Sequence, residues 1–151
     1  MDGWRFGGVA GAGEESRGWR AAAVCLAGPN PFGGRAEMVL VAEEPGVGLG
    51  AGLAGLPVPD PVLDPQRPAD AKVHALGHPT PLWFVQTDGG PAVYVGEAEG
   101  CWLWVVLWPA PAGLLVAEDL DLVDLRDGLG PWELRAGPAC RRLSPRGGTG
   151  Q

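Results

Sequence analysis

The chain has 151 residues, 46% of them hydrophobic, enough for one domain of ordinary size with a real core. A net charge of −7 and a single lysine, Lys72, leave no cationic footprint for displacing counterions from phosphates, so neither nucleic acid nor an anionic membrane is an expected partner. The 26 glycines and 16 prolines approach the level of low-complexity chains, and they fit a folded domain only if they concentrate in its connections.

The elements follow in chain order. Gly3 to Ala12 alternates weakly and ends in a polar turn, and Trp19 to Ala27 is again apolar and stops at Gly28-Pro29-Asn30-Pro31. This reads as strand, turn, strand. Ala36 to Glu43 is a third strand, stopped by Pro45. Leu49 to Leu56 reads as a short helix, a poor one unless tightly packed, because each interior glycine costs about 1 kcal/mol against alanine. Residues 57–70 contain five prolines and read as a loop, partly extended or disordered. Lys72 to Leu76 and Leu82 to Val85 read as strands split by Gly77-His78-Pro79-Thr80-Pro81. Ala92 to Glu97 and Cys101 to Trp108 form the clearest hairpin, closed by Ala98-Glu99-Gly100. Ala112 to Ala117 is a short helix or a strand, Leu120 to Leu125 alternates as a strand, and Gly137 to Gln151 is a loose tail.

The run Cys101-Trp102-Leu103-Trp104-Val105-Val106-Leu107-Trp108 is the most informative stretch. With a period of two, Trp102, Trp104, Val106 and Trp108 share one face, and Cys101, Leu103, Val105 and Leu107 share the other. Both faces are apolar, so both should be covered. The tryptophan face, joined by Trp83, is either core or a surface for a partner or ligand.

The catalytic inventory is sparse. The only serines, Ser16 and Ser144, lie in a turn and in the tail, where no base is held beside them. No phosphate-binding G-x-x-x-x-G-K-[ST] loop occurs. Gly50-Ala51-Gly52-Leu53-Ala54-Gly55 matches G-x-G-x-x-G, but Pro45 separates it from the preceding strand and Pro57 ends the helix within two turns. It reads instead as a connection whose glycines let backbone approach closely. His74 and His78 would meet on a helix, yet Gly77 and Pro79 oppose helix there. Cys25, Cys101 and Cys140 are odd in number and widely spaced, so no disulfide framework or structural zinc site is indicated, and a reduced cytoplasm is expected. Cys25 reads as a small buried hydrophobe. The acidic residues Glu118, Asp119, Asp121, Asp124 and Asp127 read as a solvated strand face. A calcium loop counted from Asp119 would need Gly and Glu where Asp124 and Gly130 stand.

Three stretches, GPNPFGGRAEMVLVAEEPGVGLGAGLAG (28–55), AKVHALGHPTPLW (71–83) and GEAEGCWLWVVLWPAPAGLL (96–115), carry a resemblance. With the opening GWRFGGVAGAG, the chain resembles an uncharacterised family of high-GC Gram-positive bacteria over most of residues 3–127. Longer members of that family carry a cysteine-rich, zinc-ribbon-like segment ahead of this part. Those cysteines are missing here, and the chain reads as a shortened form. The resemblance implies no activity and no catalytic residues, and it favours a modular role.

The expected fold is a single α+β domain over residues 1–136, a mainly antiparallel sheet with one or two short helices and a Gly/Pro-rich central loop, followed by a flexible tail over 137–151. The expected function is a non-catalytic interaction or regulatory module, with a protein partner or self-association through Trp83, Trp102, Trp104 and Trp108, and with no cofactor and no metal. The alternative is a small-ligand binder or enzyme with a pocket walled by Trp83, Trp102 and Trp104, its polar groups drawn from Glu97, Glu99, His74 or His78.

Overall fold

The computed structural model describes residues 3–14, 16, 18–75, 77–117, 120–122 and 140–143. Eight strands form one sheet: β1 (Arg5–Glu14), β2 (Gly18–Pro29), β3 (Arg35–Glu43), β4 (Ala71–Ala75), β5 (His78–Val85), β6 (Ala92–Ala98), β7 (Cys101–Trp108) and β8 (Leu120–Leu122). Their order across the sheet is β1-β2-β3-β7-β6-β5-β4-β8. The first seven pair antiparallel, and β8 joins β4 in parallel. One α-helix, α1 (Leu49–Ala54), and a 3-10 segment, Ala110–Ala117, pack on this sheet. The molecule is mostly β, in keeping with the α+β expectation. Among the described residues no helix is long and apolar enough to cross a membrane.

Strand β7 lies inside the sheet between β3 and β6, and both its faces are covered. Leu103, Val105 and Leu107 join Met38, Leu82, Val73 and the 3-10 segment's Leu115 and Val116 on one face. Trp104 and Val106 join Cys25, Val39, Val41, Val93, Val95 and α1's Ala51 and Ala54 on the other. A hydrophobic run with no polar face needs this double cover, because a single-sided sheet would leave half of it in water.

The β6–β7 hairpin closes tightly. Ala98 pairs with Cys101, and the two loop residues Glu99 and Gly100 have φ of 53° and 79°. Paired positive φ angles match the twist of antiparallel strands.

One sequence expectation is corrected at β4–β5. Residues 78–81 do not separate two strands but begin β5 itself, with Pro79 opposite His74 and Pro81 opposite Lys72. Over His78–Leu82 the strand pairs with β4, and it pairs with β6 only from Trp83 onward. A stretch with a ladder on one side can accept prolines, their nitrogens turned away from it. The change of partner needs a close crossing at Gly96, where a Cβ would stand 2.3 Å from the Pro81 carbonyl oxygen. His74 and His78 therefore lie on neighbouring strands of a hairpin, half-buried and exposed respectively.

Residues 57–70 contain no helix or strand, yet side chains tie them to the sheet. Asp60 Oδ1 accepts the Gly46 N–H at 2.8 Å and the Trp102 Nε1–H at 3.2 Å. Asp70 Oδ2 accepts the Phe84 N–H at 2.7 Å and pairs with Arg67. Of the acidic stretch, only Leu120–Leu122 falls within the described residues.

A second correction concerns the cysteines. Cys25 and Cys140 form a disulfide across 115 residues, leaving Cys101 as the free thiol. Within the stretch read as tail, Cys140 to Leu143 lie against the sheet. The Cys140 N–H donates to the Gly7 carbonyl at 2.9 Å, at a bulge where β1 skips a residue between Phe6 and Gly8.

Candidate functional site

The four tryptophans singled out from sequence occupy different environments. Trp104 is fully buried beneath α1, where a Cβ on Gly50 would stand 2.4 Å from its indole ring. It is core, not a contact surface. Trp102 is half-buried and held by Asp60. Trp83 is half-buried, and its Nε1–H donates to the Arg67 carbonyl at 2.9 Å. Trp108 is half-buried, with the Arg142 guanidinium 4.8 Å above its ring. Three of the four are thus fastened to loop or C-terminal segments of the same chain, and strand register sets Trp83, Trp102 and Trp104 on one face of the sheet.

An aromatic cleft among the described residues lies elsewhere. Phe32, Phe84, Thr87, Pro91, Tyr94 and Leu114 line a cleft of about 420 Å3 between the β5–β6 turn and the 3-10 segment. Phe84 and Tyr94 are cross-strand neighbours, their rings edge to face at 5.5 Å. The Tyr94 hydroxyl donates to the Gly113 carbonyl at 3.4 Å, and the Thr87 hydroxyl to the Pro91 carbonyl at 3.0 Å. Phe32, Phe84 and Leu114 are 62%, 41% and 59% exposed, which leaves an apolar rim open to solvent. No carboxylate, imidazole or amine lines the cleft among the described residues, so it offers no acid–base pair.

Sequence reasoning missed this site. One signal was available: Phe32 stands in the turn Pro29-Asn30-Pro31-Phe32-Gly33-Gly34, where a large apolar ring has no core to enter. Phe84, Tyr94 and Leu114 reach the cleft from three separate elements and share no local pattern.

Two groups beside the cleft titrate abnormally. The Phe84 N–H holds the Asp70 carboxyl below the ordinary carboxylate range; burial opposes it, and the Arg67 guanidinium adds to the lowering. Burial, and after it the Asp70 charge, pushes the Tyr94 phenol above its ordinary value. Tyr94 is the only tyrosine, so an absorbance titration reads it alone. Its midpoint should lie above that of the urea-unfolded chain, and Asp70→Asn should move it part of the way back. A phenol that keeps its proton longer when folded favours folding below the unfolded-state pKa, and that contribution is lost as pH rises through the folded value. A folded-state midpoint equal to the unfolded one would show Tyr94 to be free in solvent.

A second constellation surrounds the disulfide. Strand pairing sets Cys25 opposite Val39 and Glu37 opposite Trp108, so Cys25, Glu37 and Trp108 share the α1 face. Glu37 Oε1 accepts from Arg142 Nε at 3.2 Å, and Glu37 Oε2 lies 3.8 Å from Cys140 Sγ.

Fold and sites together define a mostly β sheet domain. The chain belongs to a family of unknown function, DUF6758, whose model matches residues 1–143. No curated protein and no solved structure matches it.

Proposed function

We propose that this chain is a non-catalytic interaction module and that its contact surface is the cleft of Phe32, Phe84, Tyr94 and Leu114. The observation that carries this reading is the convergence of three exposed apolar side chains on a cleft whose described lining holds no carboxylate, imidazole or amine. Such a surface fits an apolar anchor from a protein partner, with a second copy of the chain as the first partner to test. The net charge of −7 favours a protein over nucleic acid or an anionic membrane. A cytoplasmic location belongs to the same proposal, and there thiol reductants would hold Cys25 and Cys140 open.

Sedimentation velocity over a wide concentration range tests the reading. The wild-type chain is expected to show a concentration-dependent dimer, and Phe32→Asp and Leu114→Asp to stay monomeric with unchanged circular dichroism. A wild type that remains monomeric at high concentration removes self-association. The cleft volume of about 420 Å3 then favours the second reading, a small apolar ligand, since ligand sites span about 300–1,000 Å3. In that case an aromatic ligand should raise the melting temperature of wild type but not of Phe84→Ser.

A further inference from the structure

We propose that Cys25, Glu37 and Cys140 form a thiol-gated site for one soft divalent cation, best matched by Zn2+: closed as the disulfide, and open once a thiol reductant has cleaved it. The two sulfurs and a Glu37 carboxylate oxygen lie within 4.8 Å of one another. Two sulfurs and one carboxylate oxygen are zinc ligands, and a three-residue set leaves the fourth tetrahedral position to water. Zn–S bonds of about 2.3 Å hold two sulfurs about 3.8 Å apart. With the Cα atoms 6.2 Å apart, rotation about the Cα–Cβ bonds can supply that separation.

The surroundings suit an ion. Two thiolates and a carboxylate carry three negative charges; the cation supplies two positive ones and the Arg142 guanidinium the third. Arg142 engages Glu37 through Oε1, which leaves Oε2 on the side of Cys140 free to ligate. A hydrogen bond to the other oxygen of a ligating carboxylate fixes its orientation. Arg142 is itself placed by the Trp108 ring, 4.8 Å below it. Cys25 is fully buried, while Cys140 and Glu37 are half-buried, so the site is reachable from solvent on their side. The Cys140 N–H bond to the Gly7 carbonyl does not depend on the disulfide, so the third ligand keeps its anchor after reduction.

The gating step balances. A dithiol reductant attacks the Cys25–Cys140 bond, is itself oxidised to its disulfide, and leaves two protein thiols with the two electrons and two protons transferred. The cation then displaces both thiol protons to solvent as the two S–metal bonds form. A small disulfide oxidant reverses the sequence: it takes the two electrons and becomes two thiols, the Cys25–Cys140 bond re-forms, and the cation leaves to solvent.

The test uses the full chain, oxidised or reduced with a phosphine under anaerobic conditions, titrated with Zn2+ by calorimetry and with Co2+ by absorbance. Reduced wild type is expected to bind one Zn2+ per chain, and its Co2+ form to show a thiolate charge-transfer band; the oxidised chain should do neither. Cys140→Ser should weaken Zn2+ binding more than about 100-fold, and Glu37→Gln at least about 10-fold, the lower end of what losing an outer-shell orienting group costs. Cys101→Ser should bind as wild type does. All three positions are at least partly exposed, so circular dichroism should stay unchanged. Reduced wild type that takes up no zinc overturns the proposal and leaves the pair a structural staple; equal zinc uptake by the oxidised chain or by Cys140→Ser overturns it as well.

Discussion

Alanine at Gly50 should lower the unfolding free energy by about 2–3 kcal/mol, the upper part of the range for forcing an extra methyl into a packed core. Alanine at Gly52, two residues along the same six-residue helix, should instead raise it by about 0.5–1 kcal/mol. The contrast follows from what each Cβ would meet. At Gly50 it would stand 2.4 Å from Cγ and Cδ1 of Trp104 and 2.5 Å from Nε1. That ring is fully enclosed, so it cannot swing aside. The helix would have to lift, which exposes Ala51 and Ala54 and stretches the bonds holding its first turn. At Gly52 nothing lies within 4 Å, and its φ is not among the positive ones. There the methyl only removes conformational freedom from the unfolded chain. Urea unfolding followed by tryptophan fluorescence measures both. Losses of similar size at the two positions would mean that α1 is not seated on Trp104.

The two halves of this contact were separately open to reading from sequence, but not their meeting. The period-two run from Cys101 to Trp108 has no polar face, which places it inside a sheet covered on both sides, and β7 is such a strand. The glycines of residues 50–55 sit in a helix too short for a nucleotide site, and the close approach they permit is realised at Gly50. What escaped were features that depend on distant partners. Pro79 and Pro81 look like breakers because local sequence does not show that β5 pairs on one side there. Cys25 and Cys140 meet across 115 residues, and no spacing rule reaches that far. The cleft draws Phe32 from a turn, Phe84 and Tyr94 from adjacent strands and Leu114 from a 3-10 segment, so no single window contains its pattern. Glu43, ending an apolar strand before Pro45, looks like an ordinary solvent-facing terminus.

Glu43 is instead 1% exposed, and its removal should cost about 3 kcal/mol. Its Oε2 accepts the Leu49 N–H at 2.7 Å and the Gly50 N–H at 3.2 Å, two of the amides that a helix start leaves unpaired. Glu43→Ala would strand both donors in the interior, each at about 1–3 kcal/mol, offset in part if water enters the space vacated. Glu43→Gln keeps a carbonyl acceptor of nearly the same shape and should lose only about 1 kcal/mol, the size of a hydrogen bond weakened rather than lost. Hydrogen exchange at the Leu49 and Gly50 amides, read beside urea unfolding, separates a local effect from a global one: protection there should fall in Glu43→Ala and persist in Glu43→Gln. An alanine variant within about 0.5 kcal/mol of wild type would show that α1 holds its place without the carboxylate. Because Glu43 pulls the helix down and Gly50 lets it come down, the two alanine substitutions act on one seat. Their combined cost should therefore fall short of the sum by at least about 0.5 kcal/mol, the coupling expected of residues that share a contact.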